Sequence, residues 1–154
     1  MSLFFFLAVA SAHLCMLSPT QRLGPVNVNV EATPGCGLAP VFGFSGPCGH
    51  NSAKAPLVQI GTGVNFTVVF QKNEDHFCQP APGYFEIAVI VDGARTKLMV
   101  VPDTPTPWSY VYQVVVVVPR TLANSLAAFQ TLYFTNNPAV KNTTFYQCAD
   151  VLLV

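Results

Sequence analysis

The sequence predicts an all-β sandwich, and three observations lead there. Runs of β-branched and aromatic residues recur along the chain, broken at short intervals by Pro, Gly and Asn. Val64-Asn65-Phe66-Thr67-Val68 alternates apolar with polar residues, the period of a strand with one dry face and one wet one. Only 9% of the residues are charged and 51% are hydrophobic, against about 25% charged in an average soluble domain. Such a chain has much to bury. Its 154 residues, with 13 Pro and 10 Gly, make one domain of short strands and turns.

Taken in order, the strands are expected at Val26–Glu31, Pro56–Ile60, Val64–Gln71, Tyr84–Val91, Lys97–Val101, Ser109–Val118, Ala127–Thr135 and Thr144–Leu152. Val114–Val118 is five consecutive valines and reads as a strand covered on both faces. Leu122–Ala128 suits a helical turn, until Leu132-Tyr133-Phe134 draws its continuation into strand. Pro34 to Ala55 is rich in Gly, Pro and Cys and reads as a loop held by disulfides. No repeat or linker divides the chain.

Met1–Ala12, MSLFFFLAVASA, has the short apolar core and the small-x-small ending of a secretory signal peptide. It is too short to be a membrane anchor, and no later apolar run reaches the length of a span. The chain ends without the small-residue site and hydrophobic tail of a lipid anchor. The expected protein is therefore secreted, with residues 13–154 as its mature domain and His13 as its first residue. An α-amine has a pKa near 7.7–8 and can shed its proton for a metal. On an N-terminal His, that amine and the ring Nδ1 can chelate one ion, and nitrogen donors suit Cu(II).

Several classes are excluded. Seven Lys/Arg against seven Asp/Glu leave no net charge, and nucleic-acid binding needs a basic face. There is no G-x-S-x-G elbow and no phosphate-binding glycine loop. The seven acids form no compelling glycosidase pair. The five cysteines, Cys15, Cys36, Cys48, Cys78 and Cys148, lack zinc-ribbon spacing. In a secreted domain they read as two disulfides and one thiol, with fifteen arrangements open by counting. Two sequons, Asn65-Phe66-Thr67 and Asn142-Thr143-Thr144, make Asn65 and Asn142 candidate glycosylation sites. If Asn65 is glycosylated in mid-strand, its side chain must face solvent.

Histidine occurs three times, at His13, His50 and His76. His76 follows an apolar strand in the polar segment Gln71-Lys72-Asn73-Glu74-Asp75-His76, a good place to present a ligand. His50 sits in the cysteine-bearing loop and is the reserve. Asp150 is the only acid after Asp103 and lies in an apolar terminal strand, where a carboxylate needs a partner.

The N-terminal His, the early Pro47-Cys48-Gly49 segment, Leu132–Pro138 and Tyr146-Gln147-Cys148-Ala149-Asp150-Val151 together resemble the lytic polysaccharide monooxygenase-like copper proteins, in particular the copper-acquisition-factor-like group. The resemblance implies an immunoglobulin-like antiparallel β-sandwich holding one copper through His13, a second His and Asp150. It implies His76 as the second imidazole, with His50 in reserve. It also implies a Cys48–Cys148 disulfide, after which Cys36–Cys78 would be the second bridge and Cys15 would have no assigned partner.

Three functions compete: non-catalytic Cu(II) binding in copper handling, a copper-dependent polysaccharide monooxygenase, and a metal-free recognition module. Asp150, if it fills a position beside the nitrogens, closes the open site that oxygen chemistry requires. It also favours Cu(II) over Cu(I). Trp108 is the single Trp, and no planar aromatic set offers itself to a glycan. Cu(II) binding is the expected function, with one ion per chain.

Overall fold

A computed structural model describes residues 13–37, 46–49, 52–55, 58–141 and 143–154. The expected leader Met1–Ala12, the expected reserve ligand His50 and the sequon residue Asn142 lie outside the described residues.

Among the described residues, eight strands form two sheets: β1 Leu14–Ser18, β2 Val58–Ile60, β3 Asn65–Lys72, β4 Tyr84–Val91, β5 Ala94–Pro102, β6 Val111–Val117, β7 Ser125–Phe134 and β8 Thr144–Leu153. One sheet has the order β1-β3-β6 and the other β2-β8-β7-β4-β5. Every pairing is antiparallel except that of β2 with β8. The expected all-β sandwich is what forms.

The core between the sheets follows from strand alternation. Val68 and Phe70 of β3 and Tyr112 and Val116 of β6 meet Phe85, Ile87 and Val89 of β4, Phe129 and Tyr133 of β7, and Phe145, Val151 and Leu153 of β8. Phe85 sits at its centre, with ring centroids 5.1 Å from Phe70, 4.9 Å from Tyr112 and 4.5 Å from Tyr133. Such aromatic clusters bury large apolar areas and lock neighbouring strands in register. The β4–β5 hairpin turns through Asp92 and Gly93, both at positive φ, as a two-residue turn matched to strand twist requires.

Three sequence expectations are corrected. Val26–Glu31 is turn and irregular backbone, and its valines 26 and 28 instead pack over the Cys15–Cys36 pair. The missed strand is β1. Its Leu-Cys-Met-Leu-Ser shows no alternation because Leu14, Cys15 and Met16 are all buried, on both faces. The valine run is not covered on both faces either. In β6, Tyr112 and Val116 face the core, while Val115 and Val117 are 50% and 49% exposed. Among the described residues β6 hydrogen-bonds only to β3 and so forms an edge.

Two disulfides are formed, Cys15–Cys36 and Cys48–Cys148. Such bonds persist in oxidising compartments. No helix among the described residues is long and apolar enough to cross a membrane.

Candidate metal centre

The antiparallel pairing of β1 with β3 brings the two ends of the site together. Leu14 lies opposite Lys72, and the amide of Asn73 donates to the His13 carbonyl at 3.2 Å. His13 therefore meets the segment that leaves β3, which carries Glu74 and His76. Among the described residues, His13, Glu74 and His76 are the group able to hold a metal ion, one ligand atom from each lying within 4.8 Å of the others. His13 Nε2 is 3.3 Å from Glu74 Oε2, and His76 Nε2 is 4.0 Å from Glu74 Oε1. The two imidazole centroids are 4.2 Å apart.

The surroundings are apolar and fixed. Phe145 stacks on His13, and the Tyr133 ring lies nearly parallel to His76 with centroids 6.2 Å apart. His13 is only 4% exposed. His76 Nε2 is buried and has no hydrogen-bond partner among the described residues. Burial lowers the His76 pKa, outweighing the opposite pull of Asp75 and Asp103, so the ring is neutral at pH 7 and able to bind a metal.

A buried polar network holds the loop in place. Lys72, fully buried at the end of β3, reaches Asp103 at 2.8 Å, Asp75 at 2.5 Å and the Thr104 carbonyl at 3.1 Å. Tyr133 donates its hydroxyl to the other Asp103 oxygen at 2.7 Å. Burial and that hydrogen bond to Asp103 keep the Tyr133 phenol protonated. The His76 carbonyl accepts from Thr135 Oγ1 at 3.2 Å and from Asn137 Nδ2 at 3.4 Å. Leu132–Pro138 thus serves as a bracket for the His76 loop.

On the other side stands Gly37, at φ +62°. A Cβ there would come within 2.5 Å of the His13 backbone nitrogen, so only glycine allows this approach. The Cys15–Cys36 disulfide ties the Gly37 segment to β1, and Gln147 supports it by donating to the Gly35 carbonyl at 2.6 Å.

Asp150 is not part of this group. It lies an odd number of residues from Phe145 along β8, and alternation turns it to the outer face while Phe145 and Val151 point inward. There Arg22 donates to both its oxygens, at 3.0 and 2.7 Å, and the Lys54 amide donates at 2.7 Å. The partner that a carboxylate in an apolar strand requires is Arg22. The carboxylate beside the histidines is Glu74, whose sequence signal was the Glu74-Asp75-His76 spacing after a core strand.

Of the expected disulfides, Cys48–Cys148 is formed and Cys36–Cys78 is not. Cys36 bonds to Cys15, because the unrecognised strand β1 carries Cys15 to it, and Cys78 keeps its thiol.

No family model and no curated protein matches the chain. Among solved structures it is similar to the fusolin spindle protein of Anomala cuprea entomopoxvirus, with a TM-score of 0.46 and 15% identity. The similarity covers 65% of this chain and 45% of that one, so the chain spans less than half of that protein's length.

Proposed function

We propose that this is a secreted protein that binds one Cu(II) through His13, His76 and Glu74 and serves in copper handling without catalytic turnover. The observation that carries the reading is the convergence of those three donors within 4.8 Å, in a chain holding only three histidines. Cleavage of the leader after Ala12 would add the His13 α-amine to the ring nitrogen of the same residue. Gly37, having no side chain, keeps the backbone that passes close to the His13 nitrogen from crowding it further. Two imidazoles, an amine and a carboxylate form an N,O donor set of the kind Cu(II) accepts. The resemblance to the lytic polysaccharide monooxygenase-like copper proteins agrees with this reading.

Bound Cu(II) supplies a positive charge and one-electron chemistry. The chain's own residues govern how much of that chemistry is used. Glu74 offers a hard anionic donor, which would favour Cu(II) over Cu(I) and, if bound to the ion, would leave less room for oxygen. Phe145 and Tyr133 hold the rings against rotation and keep bulk water from their inner faces.

N-terminal sequencing of the secreted protein, followed by Cu(II) titration and EPR, tests the proposal. The mature chain should begin at His13 and bind one Cu(II), with zinc much weaker. Glu74→Gln should weaken binding about tenfold or more, through loss of the anionic donor. A different N-terminus, or equal zinc and copper affinity, would overturn it. Release of oxidised oligosaccharides from chitin or cellulose, given reductant and oxygen, would make the protein a monooxygenase instead.

A further inference from the structure

We infer that Asn65 carries an N-linked glycan whose first sugar covers the exposed valine face of β6 and blocks that edge from pairing with a second copy of the chain. The inference does not depend on the metal centre. It rests on register. Asn65 lies directly opposite Val117, and Thr67 opposite Val115, across the β3–β6 ladder. In an antiparallel pair, opposed side chains share a face with Cβ atoms about 5 Å apart. Asn65 and Thr67 are both exposed, so these two sequon residues lie on the outer face beside the two half-exposed valines, while Phe66 between them turns to the core.

The face needs such a cover. β6 reads Val-Tyr-Gln-Val-Val-Val-Val, with no charge and no Pro. Val111, Val115 and Val117 are all exposed along it. A six- or seven-residue segment with strong β propensity and no charge is a template for association when it lies on an edge. Proteins normally guard such edges with Lys, Pro or a bulge. Of the other edge strands, β1 and β2 are short, at five and three residues, and β5 has Arg95, Lys97 and Pro102 for this purpose. β6 has none of these, and the sequon is in register with its bare valines. The apolar face of an N-acetylglucosamine ring is of the size to lie over them, while the rest of the glycan adds hydrated bulk.

The modification needs a lipid-linked oligosaccharide as donor, available on the secretory route. The Asn65 Nδ2–carbon bond forms at the anomeric carbon as the bond from that carbon to the lipid pyrophosphate breaks. The amide loses one proton, the pyrophosphate leaves with the bonding pair, and nothing is oxidised.

The test is expression of the full chain in a eukaryotic secretory host, peptide mapping by mass spectrometry, and light scattering on the purified protein. Asn65 should be occupied and the protein monomeric. Asn65→Gln and, independently, Thr67→Ala should each remove that glycan and at least double the weight-average mass at the same concentration. Adding Val117→Lys to either should restore the monomer, because a charge now guards the edge. Asn142→Gln should leave the mass of the assembly unchanged. An unmodified Asn65 in the secreted protein would overturn the inference. So would monomeric Asn65→Gln and Thr67→Ala variants, or association that Val117→Lys does not reverse.

Discussion

Phe145 lies flat against the imidazole of His13, with ring centroids 3.7 Å apart and planes 12° from parallel. Phe145 belongs to β8 in one sheet and His13 precedes β1 in the other. The stack therefore joins the two layers of the sandwich at the candidate metal centre. A side chain held this way has lost its rotamer freedom on folding, so a bound metal need not order it again.

Replacing that ring with a flexible apolar side chain separates packing from binding. Phe145→Leu should lower stability by about 1–2 kcal/mol, measured by urea unfolding. Cu(II) affinity should fall as well, although no donor has been removed, because His13 becomes free to turn. Unchanged affinity would mean that the stack contributes to the core and not to the centre.

Asp150 and Glu74 should behave in opposite ways. Asp150→Asn weakens the paired hydrogen bonds from Arg22, in a site where both side chains are nearly buried. It should cost about 1–3 kcal/mol of stability and leave Cu(II) affinity within about twofold, since Arg22 and not the metal is its partner. Urea unfolding and calorimetric titration on the same preparation check both halves.

Lys72→Met removes the cation that the buried Asp103 faces and leaves an uncompensated carboxylate in the core. The expected loss is about 3–5 kcal/mol by urea unfolding, as for other broken buried pairs. Removing the acid too, as Lys72→Met with Asp103→Leu, should recover part of that loss. The double variant would still lack the tether to Asp75, so weaker Cu(II) binding should persist.

The depressed pKa of His76 sets the sign of a pH effect. Below the ordinary histidine value of about 6.5, the unfolded chain takes up a proton at residue 76 before the folded one does. The stability contributed by a neutral His76 is therefore complete above that value. It declines as pH falls toward the lowered folded pKa, where the loss is complete. Protons also compete with the metal, so Cu(II) affinity should fall in the same direction. Urea midpoints between neutral and mildly acid pH should slope less in His76→Gln than in the parent chain.

Most strands were legible because alternation exposes a half-buried strand directly. Val64–Gln71 lies within a residue of β3 for that reason, and Tyr84–Val91 coincides with β4 through its run of β-branched and aromatic residues. β1 was not legible. A strand buried on both faces has no period, and this one follows closely on the apolar segment Leu3–Ala10. The valine run misled in the opposite way, since a run of one residue type looks identical whether its outer face is covered or bare. His13 and His76 stood out through their scarcity. Glu74 was visible beside His76, but nothing local marked it above Asp75 or Asp150.

By itself, then, the sequence determined the class of fold, the scarcity of charge, the two imidazoles worth testing and the pairing of Cys48 with Cys148 that the resemblance implied. These are properties of composition, short-range period and motif. Only the tertiary structure decided which carboxylate joins the histidines, which cysteine meets Cys36 and which face of β6 is bare. Each depends on which strand lies beside which, and on the parity of a residue along its strand. The antiparallel pairing of β1 with β3 sets His13 beside Glu74 and His76. The alternation of β8 turns Asp150 to the opposite face, where Arg22 meets it.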